Sequence, residues 1–169
     1  MITPAAPPHD GRCTCGQVRF RVLAEPLIVH ACHCTWCQRE SGTAFALNAM
    51  VETAQVELLQ GAPETVMTPS ASGQGQQVRR CPACRVALWS HYAGGGTRFA
   101  FVRVGTLAEP ARLPPDVHIF TSTRQPWLQL PDGPGHAPQF ERFYDRAALW
   151  RPQALARRAE AMAAPAPTI

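Results

Sequence analysis

The sequence predicts a mainly β domain built from many short strands, followed by a short helical tail. Three observations carry that expectation. Apolar and polar residues alternate over short stretches, turn signals rich in Gly and Pro separate those stretches, and the composition shifts toward Ala, Arg and Leu after Asp145. At 169 residues, with 46% hydrophobic and 17% charged, the chain has enough apolar material for one folded domain.

The Pro-rich opening, residues 1–10, is expected to be disordered, with the domain spanning 11–145 and the tail 146–169. Over residues 17–23, Val18, Phe20 and Val22 alternate with Arg19 and Arg21, the pattern of a half-buried strand. Further strands are expected over 27–31, 44–51, 56–59, 64–68, 76–80, 87–91, 98–104 and 117–120. Turn signals such as "GAPE", "SASGQG", "AGGG" and "EPARLPP" divide them. No amphipathic stripe occurs before residue 145, so no helix is expected there. In the tail, "RAALWRPQALARRAEAMAA" suits a helix that Pro152 must break or restart.

Composition also narrows the classes of function. No stretch is long and apolar enough to span a membrane. The N-terminus lacks the basic and apolar regions of a secretory signal, so a cytoplasmic location is expected. The net charge of +4 comes from Arg alone, since the chain has no Lys. These arginines are scattered and form no stripe, so nucleic-acid binding is not expected.

Seven cysteines, an odd number without an export signal, argue for thiols available to metal and against a disulfide framework. They fall into three groups: Cys13 with Cys15, the triplet Cys32, Cys34 and Cys37, and Cys81 with Cys84. The two pairs together offer four thiolates, a closed tetrahedral site for structural zinc. The triplet offers three, which leaves one position open. Other partitions exist: the triplet could combine with either pair, or complete its own set with His33, His30 or His91. His33 should point away from its neighbouring cysteines in an extended segment, and His91 and His118 read as ordinary strand residues. The pair-plus-pair partition uses every cysteine and confines the open position to one place. Three thiolates on Zn²⁺ carry a net charge of about −1 and suit a further sulfur ligand better than the making of hydroxide.

The segments "GRCTCGQVRF", "ACHCTWCQRESGTAFAL", "RRCPACRVALWS" and "DVHIFTSTRQPWLQL" resemble, in that order, the glutathione-dependent formaldehyde-activating enzyme family, which also contains centromere protein V. The resemblance runs from residue 11 to residue 144. It implies a β-tent of small antiparallel sheets around zinc. It further implies structural ligands at Cys13, Cys15, Cys81 and Cys84, and a catalytic zinc at Cys32, Cys34 and Cys37. The implied activity is that of a carbon–sulfur lyase handling a small thiol such as glutathione and a small aldehyde such as formaldehyde. The alternative is a non-catalytic, zinc-scaffolded binding module. A methionine sulfoxide reductase of the B type, which shares that fold, would need a late redox cysteine, and none follows Cys84. Many family members carry Gly where Arg85 follows Cys84. Arg39 and Glu40, just after the triplet, are candidates for orienting a zwitterionic tripeptide. Trp36, Trp89, Phe99 and Trp127 read as core aromatics more than as pocket walls.

Overall fold

A computed structural model describes residues 8–168 and contains ten strands and three α-helices among them. In chain order these are β1 (His9–Arg12), β2 (Arg19–Val22), β3 (Ile28–Cys32), α1 (Thr35–Ser41), β4 (Ala46–Glu52), β5 (Val56–Gln60) and β6 (Glu64–Thr68). There follow β7 (Gln76–Arg80), β8 (Ala87–Tyr92), β9 (Phe99–Arg103), β10 (Val117–Ile119), α2 (Arg146–Leu149) and α3 (Pro152–Ala163). The mainly β architecture and short C-terminal helix match the expectation from sequence. Among the described residues no helix is long and apolar enough to cross a membrane.

Strands β1, β2 and β5 form a small antiparallel sheet, and the other seven form a second sheet in the order β10-β3-β4-β9-β8-β7-β6. Every pair in the larger sheet is antiparallel except β10 against β3. Strand alternation sorts the larger sheet into two faces. Val29, Ala49, Val51, Ala100 and Val102 turn toward Phe20 and Val22 of the small sheet and toward Cys13 and Cys81. Ile28, Cys32, Met50 and Phe99 turn the other way, toward Tyr144 and toward Trp150 and Ala154 of the tail. Each face therefore carries one of the two cysteine groups.

The tail is held by specific contacts. Arg157 grips Glu52 through Nε at 2.9 Å and Nη2 at 2.5 Å, and donates to the Glu25 carbonyl at 2.8 Å. Arg151 pairs with Glu25 and donates to the Pro26 carbonyl at 2.9 Å. Trp150 and Tyr144 are buried, so the tail completes the second core. Pro152 restarts the helix at the first turn of α3, where its missing N–H costs nothing.

Two expectations need correction. The disorder expected through residue 10 stops short of it, because β1 begins at His9 and pairs with β2 from His9↔Val22 to Arg12↔Arg19. His9 is buried there, although its side chain gives no apolar signal; residues 1–7 lie outside the described part. The absence of helix before residue 145 also fails at α1. None of its seven residues is buried, so it has no apolar stripe to detect. Its ends hold it instead: Cys34 Sγ accepts from the Cys37 N–H at 3.3 Å, and Gly42, at φ 68°, closes the C-terminus with N–H to the Gln38 carbonyl.

Candidate functional site

The two cysteine pairs converge through matching turns. Cys13 N–H donates to the Val18 carbonyl and Cys81 N–H to the Val86 carbonyl, each spanning five residues. Within them, Gly16 N–H returns to the Cys13 carbonyl and Arg85 N–H to the Cys81 carbonyl. Gly16 (φ 77°) and Arg85 (φ 63°) both adopt the left-handed conformation that reverses the chain. Arg85 thus gives the second pair the turn geometry that Gly16 gives the first.

The Sγ atoms of Cys13, Cys15, Cys81 and Cys84 all lie within 4.8 Å of one another, and so do those of Cys32, Cys34 and Cys37. Cys13 to Cys15 is 3.5 Å and Cys15 to Cys81 is 3.7 Å. A zinc–sulfur distance of about 2.3 Å gives a tetrahedron edge of about 3.8 Å, so the four-sulfur group has the right size. All seven cysteines are free thiols. No histidine belongs to either group among the described residues.

The triplet's donor set also fits a dication. Hydrogen bonds from Cys32 and Cys37 pull the Cys34 thiol down to about 2, and the same Cys34 contact pushes Cys32 well up. Three sulfurs this close release one proton readily and hold the others. A metal ion would supply the missing positive charge, and an all-sulfur set favours a soft ion such as zinc over magnesium or calcium.

Beside the triplet lies a cavity of about 400 Å³, bordered by Cys32, Cys34 and Cys37. His30 and Asn48, paired across β3 and β4, share the cavity face with Cys32. Arg103 donates to Asn48 Oδ1, and to Ser90 Oγ at 2.8 Å, which turns the Asn48 amide nitrogen away from the guanidinium. Tyr144 receives a hydrogen bond from Trp150 Nε1 at 2.7 Å and lies 2.7 Å from His30 Nε2. Burial, then the nearby Arg146 charge, depress His30 to about 4 and keep its ring neutral.

Over residues 8–123 the sequence matches the family described as glutathione-dependent formaldehyde-activating enzyme. The chain belongs to that family. A Halomonas elongata protein with the provisional name glutathione-dependent formaldehyde-activating enzyme is 27% identical over 129 residues, covering 72% of this chain and 80% of its own. A Rhodobacter sphaeroides protein of known crystal structure covers 77% of this chain and 98% of its own, with 18% identity and a TM-score of 0.46. The family match takes in all seven cysteines and ends before the C-terminal tail.

Several individual expectations resolve differently. Glu40 is held by Arg80 in a half-buried ion pair, and Arg39 lies 6.0 Å over the Trp36 ring; neither borders the cavity. Trp36 is 38% exposed and, with Phe99, is a cavity wall, which corrects its reading as core. Trp127 is 69% exposed, so it is no core residue either, whereas Trp89 is buried in the first core. His33 is buried with Nε2 3.0 Å from His118 Nδ1, and His91 binds the Phe99 carbonyl through Nδ1 at 2.9 Å. The residues missed from sequence are Asn48, Tyr144 and Trp150. Only the β3–β4 register and the docking of the tail bring them to the site.

Proposed function

We propose that this member of the family joins a small thiol to a small aldehyde, and cleaves the same carbon–sulfur bond in reverse, as a lyase. Glutathione and formaldehyde are the pair suggested by the family's name. In this reading Cys13, Cys15, Cys81 and Cys84 hold a structural zinc, and Cys32, Cys34 and Cys37 hold a catalytic one. The observation that carries it is the triplet: three convergent thiols with a cavity beside them and no fourth His, Cys, Asp or Glu ligand among the described residues. When bound there, zinc would lower the pKa of one further sulfur ligand.

The chain's own residues position the reactants. In the forward direction the carbon–sulfur bond forms as the carbonyl π bond opens. The thiol proton ends on the former carbonyl oxygen, and nothing is oxidised or reduced. The Asn48 amide, oriented by Arg103, offers N–H to that oxygen as charge develops on it. The intermediate-depth Arg103 adds positive charge behind a three-thiolate site of about −1. Apolar cavity walls exclude water, which would otherwise compete for the aldehyde. Thiols kept free in this way suit a reducing compartment such as the cytoplasm.

The test uses cobalt in place of zinc, because its sulfur charge-transfer and ligand-field bands report the coordination. Adding a small thiol should shift those bands to saturation in the parent protein, and should fail to do so in Cys34→Ser. Carbon NMR with labelled formaldehyde should show faster formation of the hemithioacetal in the parent alone. A cobalt spectrum indifferent to every thiol would reject the open position and favour a binding module.

A further inference from the structure

Two arginines of the tail border the cavity in addition to the triplet. Arg146, on α2, places its guanidinium carbon 5.4 Å from the Phe143 ring centre, and Arg158, on α3, lies 5.9 Å from that of Phe99. Their neighbours Arg151 and Arg157 are paired with Glu25 and Glu52, but among the described residues neither Arg146 nor Arg158 has a salt-bridge partner. Burial and then the charge of Arg146 both lower the pKa of Arg158, so the two cations work against each other. An anion between them would relieve that repulsion.

The space between these cations and the thiols is apolar. Trp36, Met50, Phe101, Phe120, Phe143 and Trp150 form much of its wall. Phe120 adopts φ 57°, a left-handed conformation that disfavours a bulky side chain, yet its ring is kept at the cavity. Of the polar groups there, Asn48 Oδ1 accepts from Arg103, His30 Nε2 lies against the Tyr144 hydroxyl and Ser70 Oγ donates to the Gly75 carbonyl at 3.1 Å, while the neutral Gln76 Oε1 is buried without a partner. Among the described residues no Asp or Glu lines the cavity. A tripeptide thiol with an ammonium group would find no counter-charge and would face two cations instead.

We propose that the thiol taken by this cavity is an apolar-bodied monocarboxylate, its sulfur at Cys32, Cys34 and Cys37 and its carboxylate between Arg146 and Arg158. The sulfur end of this assignment rests on the thiol-binding reading of the triplet. The carboxylate end rests on the tail alone, which lies beyond the family match. Guanidinium groups suit the task because their planar fork meets a carboxylate with two parallel hydrogen bonds.

The test measures binding to the zinc-replete full chain by calorimetry, with tryptophan fluorescence as a second signal from Trp36 and Trp150. The probes are para-(mercaptomethyl)benzoate, its two-ring biphenyl homologue, the neutral benzamide counterparts of both, thiol-free para-methylbenzoate, and glutathione. At least one carboxylate thiol should bind about tenfold or more tightly than both its benzamide and glutathione, the size of a charge-assisted hydrogen-bonded pair. Arg146→Gln with Arg158→Gln should erase the carboxylate advantage and leave benzamide binding unchanged. The single Arg146→Gln variant, at an exposed position, serves if the double variant folds poorly. Equal binding of carboxylate and benzamide, or tighter binding of glutathione, overturns the proposal even if thiols shift the cobalt spectrum. Conversely, arginine-dependent binding of para-methylbenzoate, with no gain from the thiol group, supports the carboxylate site and overturns the sulfur assignment.

Discussion

The Tyr144 hydroxyl lies 2.7 Å from His30 Nε2 and ties the strand that carries Cys32 to the C-terminal tail. Trp150 Nε1 donates to the same oxygen at 2.7 Å, so the hydroxyl bonds both side chains at once. One buried hydroxyl thus joins β3 to the chain leading into α3. Tyr144→Phe should leave both nitrogens without a partner and lower stability by about 1–3 kcal/mol. Chemical denaturation measures the loss. Amide exchange should accelerate in α3, with β7 and β8 unaffected; uniform acceleration would mean the bond does not anchor the tail locally.

The two cysteine groups should separate stability from chemistry. The pairs join chain segments far apart in sequence, so metal bound there contributes directly to folding. Cys81→Ser should therefore cost on the order of several kcal/mol or abolish folding. Cys37→Ser should yield a folded domain that retains one zinc, where the parent should retain two, one for each group that could hold a metal ion. Circular dichroism, thermal melts and elemental analysis distinguish these outcomes. Equal collapse in both variants would make the triplet structural as well.

Arg85 occupies a conformation that glycine adopts freely. A side chain at left-handed φ costs roughly 1–2 kcal/mol. Glycine gives back about 0.4–1 kcal/mol through the greater freedom of the unfolded chain. The partner of Arg85, Glu64, sits at an exposed pair that contributes little. Arg85→Gly should therefore stabilise the zinc-loaded protein by about 0.5–1 kcal/mol, read from its melting curve. A lower melting temperature would show that the Glu64 pair matters more than the backbone.

His91 should steepen the loss of stability in acid. It is buried, its Nδ1–H donates to the Phe99 carbonyl, and burial holds its pKa below the usual value of 6.5. Below about pH 6.5 the unfolded chain protonates this ring and the native protein does not. The unfolded state then binds more protons, so stability falls as pH drops; above that pH the residue contributes no slope. His91→Gln should give a shallower decline between neutral pH and about pH 5, measured by urea unfolding against the parent. Parallel curves would contradict neutral burial of His91.

Much of this protein was determined by the sequence itself. Alternation of apolar residues marked nine of the ten strands, and the spacing of the cysteines separated four thiols from three. Both signals are local: a strand's side-chain period and a metal-binding turn each depend on only a few neighbouring residues. Strand β1 escaped because "HDGR" carries no apolar alternation, and α1 escaped because its stability comes from its ends at Cys34 and Gly42 and not from a buried face.

Only the tertiary structure decided what surrounds the thiols. The parity within β3 and β4 puts His30, Cys32 and Asn48 on one face, but parity alone does not say which face receives the tail. That follows from the burial of Tyr144 and Trp150 and from the grip of Arg157 on Glu52, contacts across more than a hundred residues. Those contacts bring Arg146 and Arg158 to the cavity, whose wall also includes Phe120. Long-range packing set that outcome because it satisfies buried polar groups and apolar surfaces contributed by segments that are silent about one another in the linear chain.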